Sequence, residues 1–179
     1  HGRNKMKRVH DFQKYRETSH GRHFVDWINY KYGFDYQSYP NTTQNSDVDV
    51  YADSPKGLPK LSLQMVTSNG PTEQLMNETI SKLQRGEGIE IREVNVIEWV
   101  SSVIESKTKK YPDSVKRDLI LIIEGFMPTP TLETIKREFK KYSESQFKGI
   151  YYVSLRVRSY PENDETKYGF VVPIKDSFS

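Results

Sequence analysis

The chain has no cysteine, which excludes a disulfide framework, a thiolate zinc site and a thiol nucleophile. It also lacks any apolar run near the ~20 residues that cross a bilayer, and its opening HGRNKMKRVH has no hydrophobic signal region behind its charges. These absences predict a cytoplasmic protein with no membrane association. There is no GxGxxG, P-loop or HExxH pattern either, which sets aside nucleotide-cradling and zinc-peptidase classes. No internal repeat or low-complexity tract appears.

What remains suits one folded domain. The 179 residues are 35% hydrophobic, and the 12 Tyr and 8 Phe supply bulky core material, so a single domain over 1–179 is expected. His1 and Gly2 stand where Met would open a natural chain, so residues 1–8 are expected to be disordered or vector-derived, with Met6 a candidate natural start. The net charge of +3 is unevenly placed. Basic residues crowd 1–22, KTKK at 107–110 and KREFKK at 136–141. Lys107, Lys109, Lys110, Lys136, Arg137, Lys140 and Lys141 are therefore candidate phosphate contacts, to be weighed against an ordinary solvated helix face.

Periodicity orders the elements. Val9, Phe12, Tyr15 and Arg16, then Phe24, Trp27 and Ile28, recur at three and four residues, which predicts a leading helix stopped by Gly33 and divided by Gly21. A short strand and a polar loop with Pro40 and Asn41 follow. In DVDVYA, Val48, Val50 and Ala52 alternate with Asp47, Asp49 and Tyr51; in LSLQMV, Leu61, Leu63 and Met65 share one face and Ser62, Gln64 and Val66 the other. The turn DSPKGLPK joins these two strands. Helices are predicted from Thr72 to Gly86 and over NVIEWVSSVIESKTKKYP. DLILIIEG reads as a strand covered on both faces, followed by a helix with Leu132, Ile135 and Phe139 inward and two closing strands. The fold class is α/β, a mixed central sheet flanked by helices, with a right-handed βαβ unit after residue 118.

Two carboxylates at i and i+2 of a strand project from one face with roughly 7 Å between their Cα atoms, so Asp47 and Asp49 can both reach a hard, oxygen-seeking cation such as Mg²⁺. The plainer alternative is a solvated strand face. A glycosyltransferase DxD is disfavoured, because no nucleotide-sugar region is recognisable. His10, His20 and His23 lie on the leading helix, and the i, i+3 pair His20 and His23 has no third ligand of matching spacing, which favours a surface or capping role. Ser62 and Ser154 have no neighbouring His or Asp to define a triad. Tyr30, Tyr32, Phe34, Tyr36 and Tyr39, beside Lys31, suit either core packing or stacking on unpaired bases.

The order helix, Asp-bearing strand, turn, Gln-bearing strand, helix resembles the core of the PD-(D/E)xK, restriction-endonuclease-like nuclease superfamily, from about Phe24 to Leu155. The resemblance carries the family's first aspartate onto Asp47 or Asp49, with Ser46 where proline is common, its second acid onto Gln64 and its lysine onto Val66. The second half of the motif is therefore degenerate. The resemblance implies a DNA endonuclease using Mg²⁺ or Mn²⁺, with Asp47, Asp49 and Gln64 as metal ligands and catalytic residues. Lys82 on the following helix replaces the missing lysine, with Lys60 second, and Glu17 can supply the missing acid. A homodimer is natural for cutting two strands. The alternative is an inactive nuclease-like domain that binds nucleic acid or protein.

Overall fold

A computed structural model describes residues 2–43, 46–66, 78, 81–82, 84–86, 93–125, 132–154 and 170–179. Helix α1, Gly2–Tyr32, leads into strands β1 (Gln37–Pro40), β2 (Val50–Asp53) and β3 (Leu61–Val66). Helices α2 (Glu93–Lys110) and α3 (Asp113–Lys116) precede β4 (Leu119–Glu124); α4 (Leu132–Glu138) and a 3-10 turn (Lys140–Tyr142) precede β5 (Gly149–Ser154), and β6 is Phe170–Lys175. The Arg85 N–H donates to Ser81 O and Lys82 O, and Gly86 has φ 70. Thr72, Glu73, Leu75, Met76, Ile80 and Leu83 of the helix expected there lie outside the described residues, as do the side chains of Val9, His10, Phe12, Arg16, Val96, Leu132 and Ser154.

The six strands form one sheet in sequence order, β1 to β6. β1, β2 and β3 make an antiparallel meander, β3, β4 and β5 run parallel, and β6 returns antiparallel. Parallel neighbours require long crossovers, and the helices between β3, β4 and β5 meet that need. The α/β class expected from the sequence is thus present.

Each sheet face buries its own core. On one, Phe24, Val25, Trp27 and Ile28 of α1 pack on Val50, Ala52, Leu61, Leu63, Met65, Ile120 and Ile122. On the other, Val100, Ile104, Ile135 and Phe139 cover Leu119, Leu121, Ile123, Ile150 and Tyr152. Strand β4 is buried on both sides, as its unbroken run LILIIE requires. Pro40 closes β1 and Pro173 lies within β6; these are the outer strands, where a missing N–H costs the ladder least.

Two expectations are corrected, for Gly21 and for the start of the strand alternation, and the aromatic run is placed. Gly21 does not divide α1: a Cβ there would lie 2.9 Å from Val50 Cγ2, so the glycine gives the helix close approach to β2. The helix begins at Gly2. Tyr32, Phe34 and Tyr36 belong to the α1 core, where Asn29 exchanges hydrogen bonds with both the N–H and C=O of Tyr36 and fixes the turn into β1; Tyr30 and Tyr39 remain exposed. Finally, the strand alternation starts only at Val50. Bends at Asp47 and Asp49 precede it, and Val48 packs on the α2 side while Val50 packs on the α1 side. No helix among the described residues is long and apolar enough to cross a membrane.

Candidate functional site

The start of β2 lies beside the end of β3, because Asp49 N–H donates to Leu63 O at 2.9 Å and Val50 pairs with Leu63. Asn41 shapes the approach to β2: its amide donates to Val48 O at 2.7 Å, and its N–H donates to Asp49 O at 2.8 Å. This leaves the Asp49 carboxylate over the next rung of β3. Its Oδ2 accepts the Met65 N–H at 2.7 Å and the Gln64 Nε2 at 2.6 Å. Gln64 is only 7% exposed.

Since Asp49 needs a donor, the Gln64 amide turns its nitrogen toward it and its oxygen toward α2. That Oε1 accepts the Tyr111 hydroxyl at 2.5 Å. The Tyr111 oxygen accepts Lys110 Nζ at 3.1 Å, and Lys110 lies 3.7 Å from Asp47 Oδ1. A continuous polar chain therefore runs from exposed Lys110 through Tyr111 and Gln64 to Asp49 and the backbone of β3.

Burial dominates the electrostatics. It raises the Asp49 carboxyl to about 6; the Met65 N–H opposes the rise, the Glu17 charge adds to it, and Lys107 and Gln64 oppose it. Lys107, half-buried, is pushed down by burial and by Lys110, while Asp49 and Asp47 act in the other direction. Burial also raises Tyr111 and keeps its hydroxyl a donor. A carboxyl raised by burial thus lies within the electrostatic reach of Lys107, whose Nζ is 5.8 Å from the Tyr111 ring centre, a combination suited to holding an anionic oxygen.

Of the sequence candidates, Asp49, Gln64, Lys107 and Lys110 converge, with Glu17 acting on them from α1. Asp47 joins only through Lys110 and does not share a strand face with Asp49. Lys82 is exposed and, among the described residues, is not part of the polar chain. Lys60 is exposed at the foot of β3, near Tyr51. Lys109, Lys136, Arg137, Lys140 and Lys141 are exposed, with Arg137 paired to Glu138 at 2.8 Å and Lys141 to Glu105 at 3.9 Å. His20 is not a surface residue: it is 5% exposed, and its Nε2 meets Glu124 Oε1 at 3.3 Å where β4 ends. Glu17 and His20, one turn apart on α1, therefore bear on Asp49 and Glu124 respectively.

Sequence reasoning missed Tyr111 and gave Lys107 only a phosphate-contact role. The signal was present, because Val100, Ile104, Lys107 and Tyr111 continue one helical stripe at spacings of four, three and four. Among the described residues no group of three or more His, Cys, Asp or Glu could hold a metal ion. The donors present are hard oxygens, the Asp49 carboxylate and the Gln64 amide. They do not converge, because Gln64 turns its nitrogen to Asp49 and its Oε1 to Tyr111; of the two, the Asp49 carboxylate is the one that could take a hard cation, which substrate phosphate and waters would have to complete. No protein family, curated protein or solved structure matches the chain.

Proposed function

We propose that this chain is a restriction-endonuclease-like domain that hydrolyses phosphodiester bonds in nucleic acid, DNA foremost, with a divalent cation. The observation that carries the reading is the hydrogen-bonded pair of Asp49 and Gln64 across β2 and β3, with Lys107 of α2 beside Tyr111 and near enough for its charge to act on Asp49, a lysine that would stand in for the one Val66 cannot supply. An antiparallel meander continued by a parallel strand, with α1 on one face and the crossover helix on the other, supports the same architecture. A cytoplasmic setting and a homodimer go with it.

Asp49 would hold Mg²⁺ or Mn²⁺ together with substrate phosphate and waters, while Gln64, whose oxygen is taken by Tyr111, and Asp47, which lies against Lys110, would stand behind it. The cation would supply a polarised phosphate and a water of lowered pKa. The chain's own part is otherwise positional. Tyr111 fixes Gln64, Gln64 and the Met65 N–H fix Asp49, and Lys107 sets positive charge beside them where a phosphoryl oxygen gains negative charge. Lys82 has no part in this arrangement.

The test is cleavage of plasmid and oligonucleotide DNA with Mg²⁺ or Mn²⁺. Wild-type protein should cut, and Asp49→Ala and Lys107→Ala should each lose about 100-fold or more with the fold intact by circular dichroism. Unchanged cutting in both variants would sink the assignment.

One observation favours a second reading, a nuclease-like binding module without chemistry: Asp49 Oδ2 and Gln64 Oε1 already accept hydrogen bonds from the protein. It predicts salt-sensitive DNA binding without cleavage. Asp49→Ala would leave that binding unchanged, and charge removal at Lys109, Lys136, Arg137, Lys140 and Lys141 would weaken it.

A further inference from the structure

The sheet face that carries Asp49 and Gln64 continues away from the helices as a different surface. Val50, Ala52, Leu61 and Leu63 point to α1, so Tyr51 and Ser62, which alternate with them, point the other way, and the register places Tyr39 beside Tyr51. The Tyr39 and Tyr51 rings lie 5.8 Å apart and 37° from coplanar. Lys60 Nζ sits 4.0 Å from the Tyr51 ring centre and 5.3 Å from that of Tyr39. Asp53 ties the group together, accepting the Tyr39 hydroxyl at 2.7 Å and lying 4.0 Å from Lys60. Tyr39 is 37% exposed, and Lys60 and Asp53 are exposed with it.

This is not how a sheet face is closed for packing. Elsewhere the sheet's rings, Tyr151 and Tyr152 among them, are fully buried; here Tyr39 and Lys60 are exposed and Tyr51 is half-buried. Asp53 holds the Tyr39 ring in place, and a planar ligand laid on Tyr51 displaces the Lys60 ammonium that lies over it, toward the ligand's own phosphates. Tyr51 is two residues along β2 from Asp49, roughly 7 Å by the rise of a strand, so that ligand lies next to the polar chain. Lys60 on one side and Lys107 and Lys110 on the other bracket it with positive charge.

We infer that Tyr39, Tyr51 and Lys60 form a stacking site for an unpaired base of single-stranded nucleic acid, whose backbone phosphates face Lys60 and the end of α2. A duplex buries its base faces and offers only edges, so the site selects unpaired strands or frayed ends. The inference rests on the nucleic-acid reading above and names the form of strand that this face takes.

Fluorescence anisotropy tests it with a labelled oligothymidylate of about 12 nucleotides, an abasic oligomer of equal length and a duplex. The oligothymidylate should bind about tenfold more tightly than the abasic oligomer; Tyr51→Leu and Tyr39→Leu should erase that difference and Tyr51→Phe should keep it. Thermal melting checks that each variant folds. Equal binding of oligothymidylate and abasic oligomer, or equal loss in the Leu and Phe variants, overturns the stacking site. If Asp49-dependent cleavage of duplex DNA persists in that case, the stacking proposal alone has failed; if no nucleic acid binds at all, both proposals have failed.

Discussion

Two partly buried aspartates receive similar hydrogen bonds and end in opposite electrostatic states. Asp176, just after β6, accepts the Tyr32 hydroxyl at 2.6 Å, the Tyr151 hydroxyl at 2.9 Å and the Phe178 N–H at 3.0 Å, with Lys31 at 4.0 Å. Burial pushes its carboxyl up, but these partners outweigh it and hold it below the ordinary carboxylate range. Asp49 has two donors, Gln64 and Met65, and a neighbouring acid, Glu17; burial prevails and carries it to about 6. The first aspartate is a clasp that fastens the segment after β6 to Tyr32 of α1 and Tyr151 of β5. The second is a carboxylate kept short of full solvation, the condition in which such a group does chemistry.

The largest expected effect separates the two by sign. Asp176→Asn should cost about 2–3 kcal/mol at about pH 8, because three donors lose an ionised acceptor. Asp49→Asn should gain about 1–2 kcal/mol under the same conditions after discounting for solvent, since its oxygen still accepts both donors while the unfavourable charge is gone. Urea unfolding measures both, and equal signs would end the contrast.

The pH profiles sharpen it. Asp49 binds its proton more tightly folded than unfolded, so its contribution is fully present below about pH 4 and is lost as pH rises through about 6. Asp176 holds its proton less tightly folded, so its contribution is present above about pH 4 and is lost as pH falls through its lowered folded value. Wild-type stability should therefore decline between about pH 4 and 6, and Asp49→Asn should flatten that decline in a urea series.

Removing one donor from each network gives smaller effects. Tyr32→Phe should cost about 1–2 kcal/mol, since a charge-assisted bond is lost. Tyr111→Phe should cost about 1 kcal/mol, the penalty of a neutral buried amide oxygen without its donor. A Tyr111→Phe loss larger than that of Tyr32→Phe would show that the polar chain holds more of the fold than the clasp.

Much of the frame was legible because it rests on local period. Leu61, Leu63 and Met65 face one core as their alternation requires, the run at 119–124 is covered on both sides, and Gly33 leaves α1 with φ 69. Gly21 misled because its role depends on Val50, far along the chain, and not on helix propensity. The site was half legible. Asp49 and Gln64 announced themselves as polar residues in apolar strands, but the bend at Asp47 depends on Asn41, and the lysine had to be chosen among many. Lys82 was nearer in sequence, whereas it is the charge of Lys107, on α2, that acts on Asp49. Tyr111 reaches Gln64 across 47 residues, a separation no local pattern reports.

The prolines at the two margins of the sheet bear on assembly. Pro40 and Pro173 each lack the N–H that an added strand would bind, and β1 is only four residues long. Two copies therefore gain little by joining margin to margin into a twelve-stranded ribbon, and the same prolines guard against runaway polymerisation. A pair built to act on both strands of a duplex would have to meet through helices or loops, leaving each stacking face free.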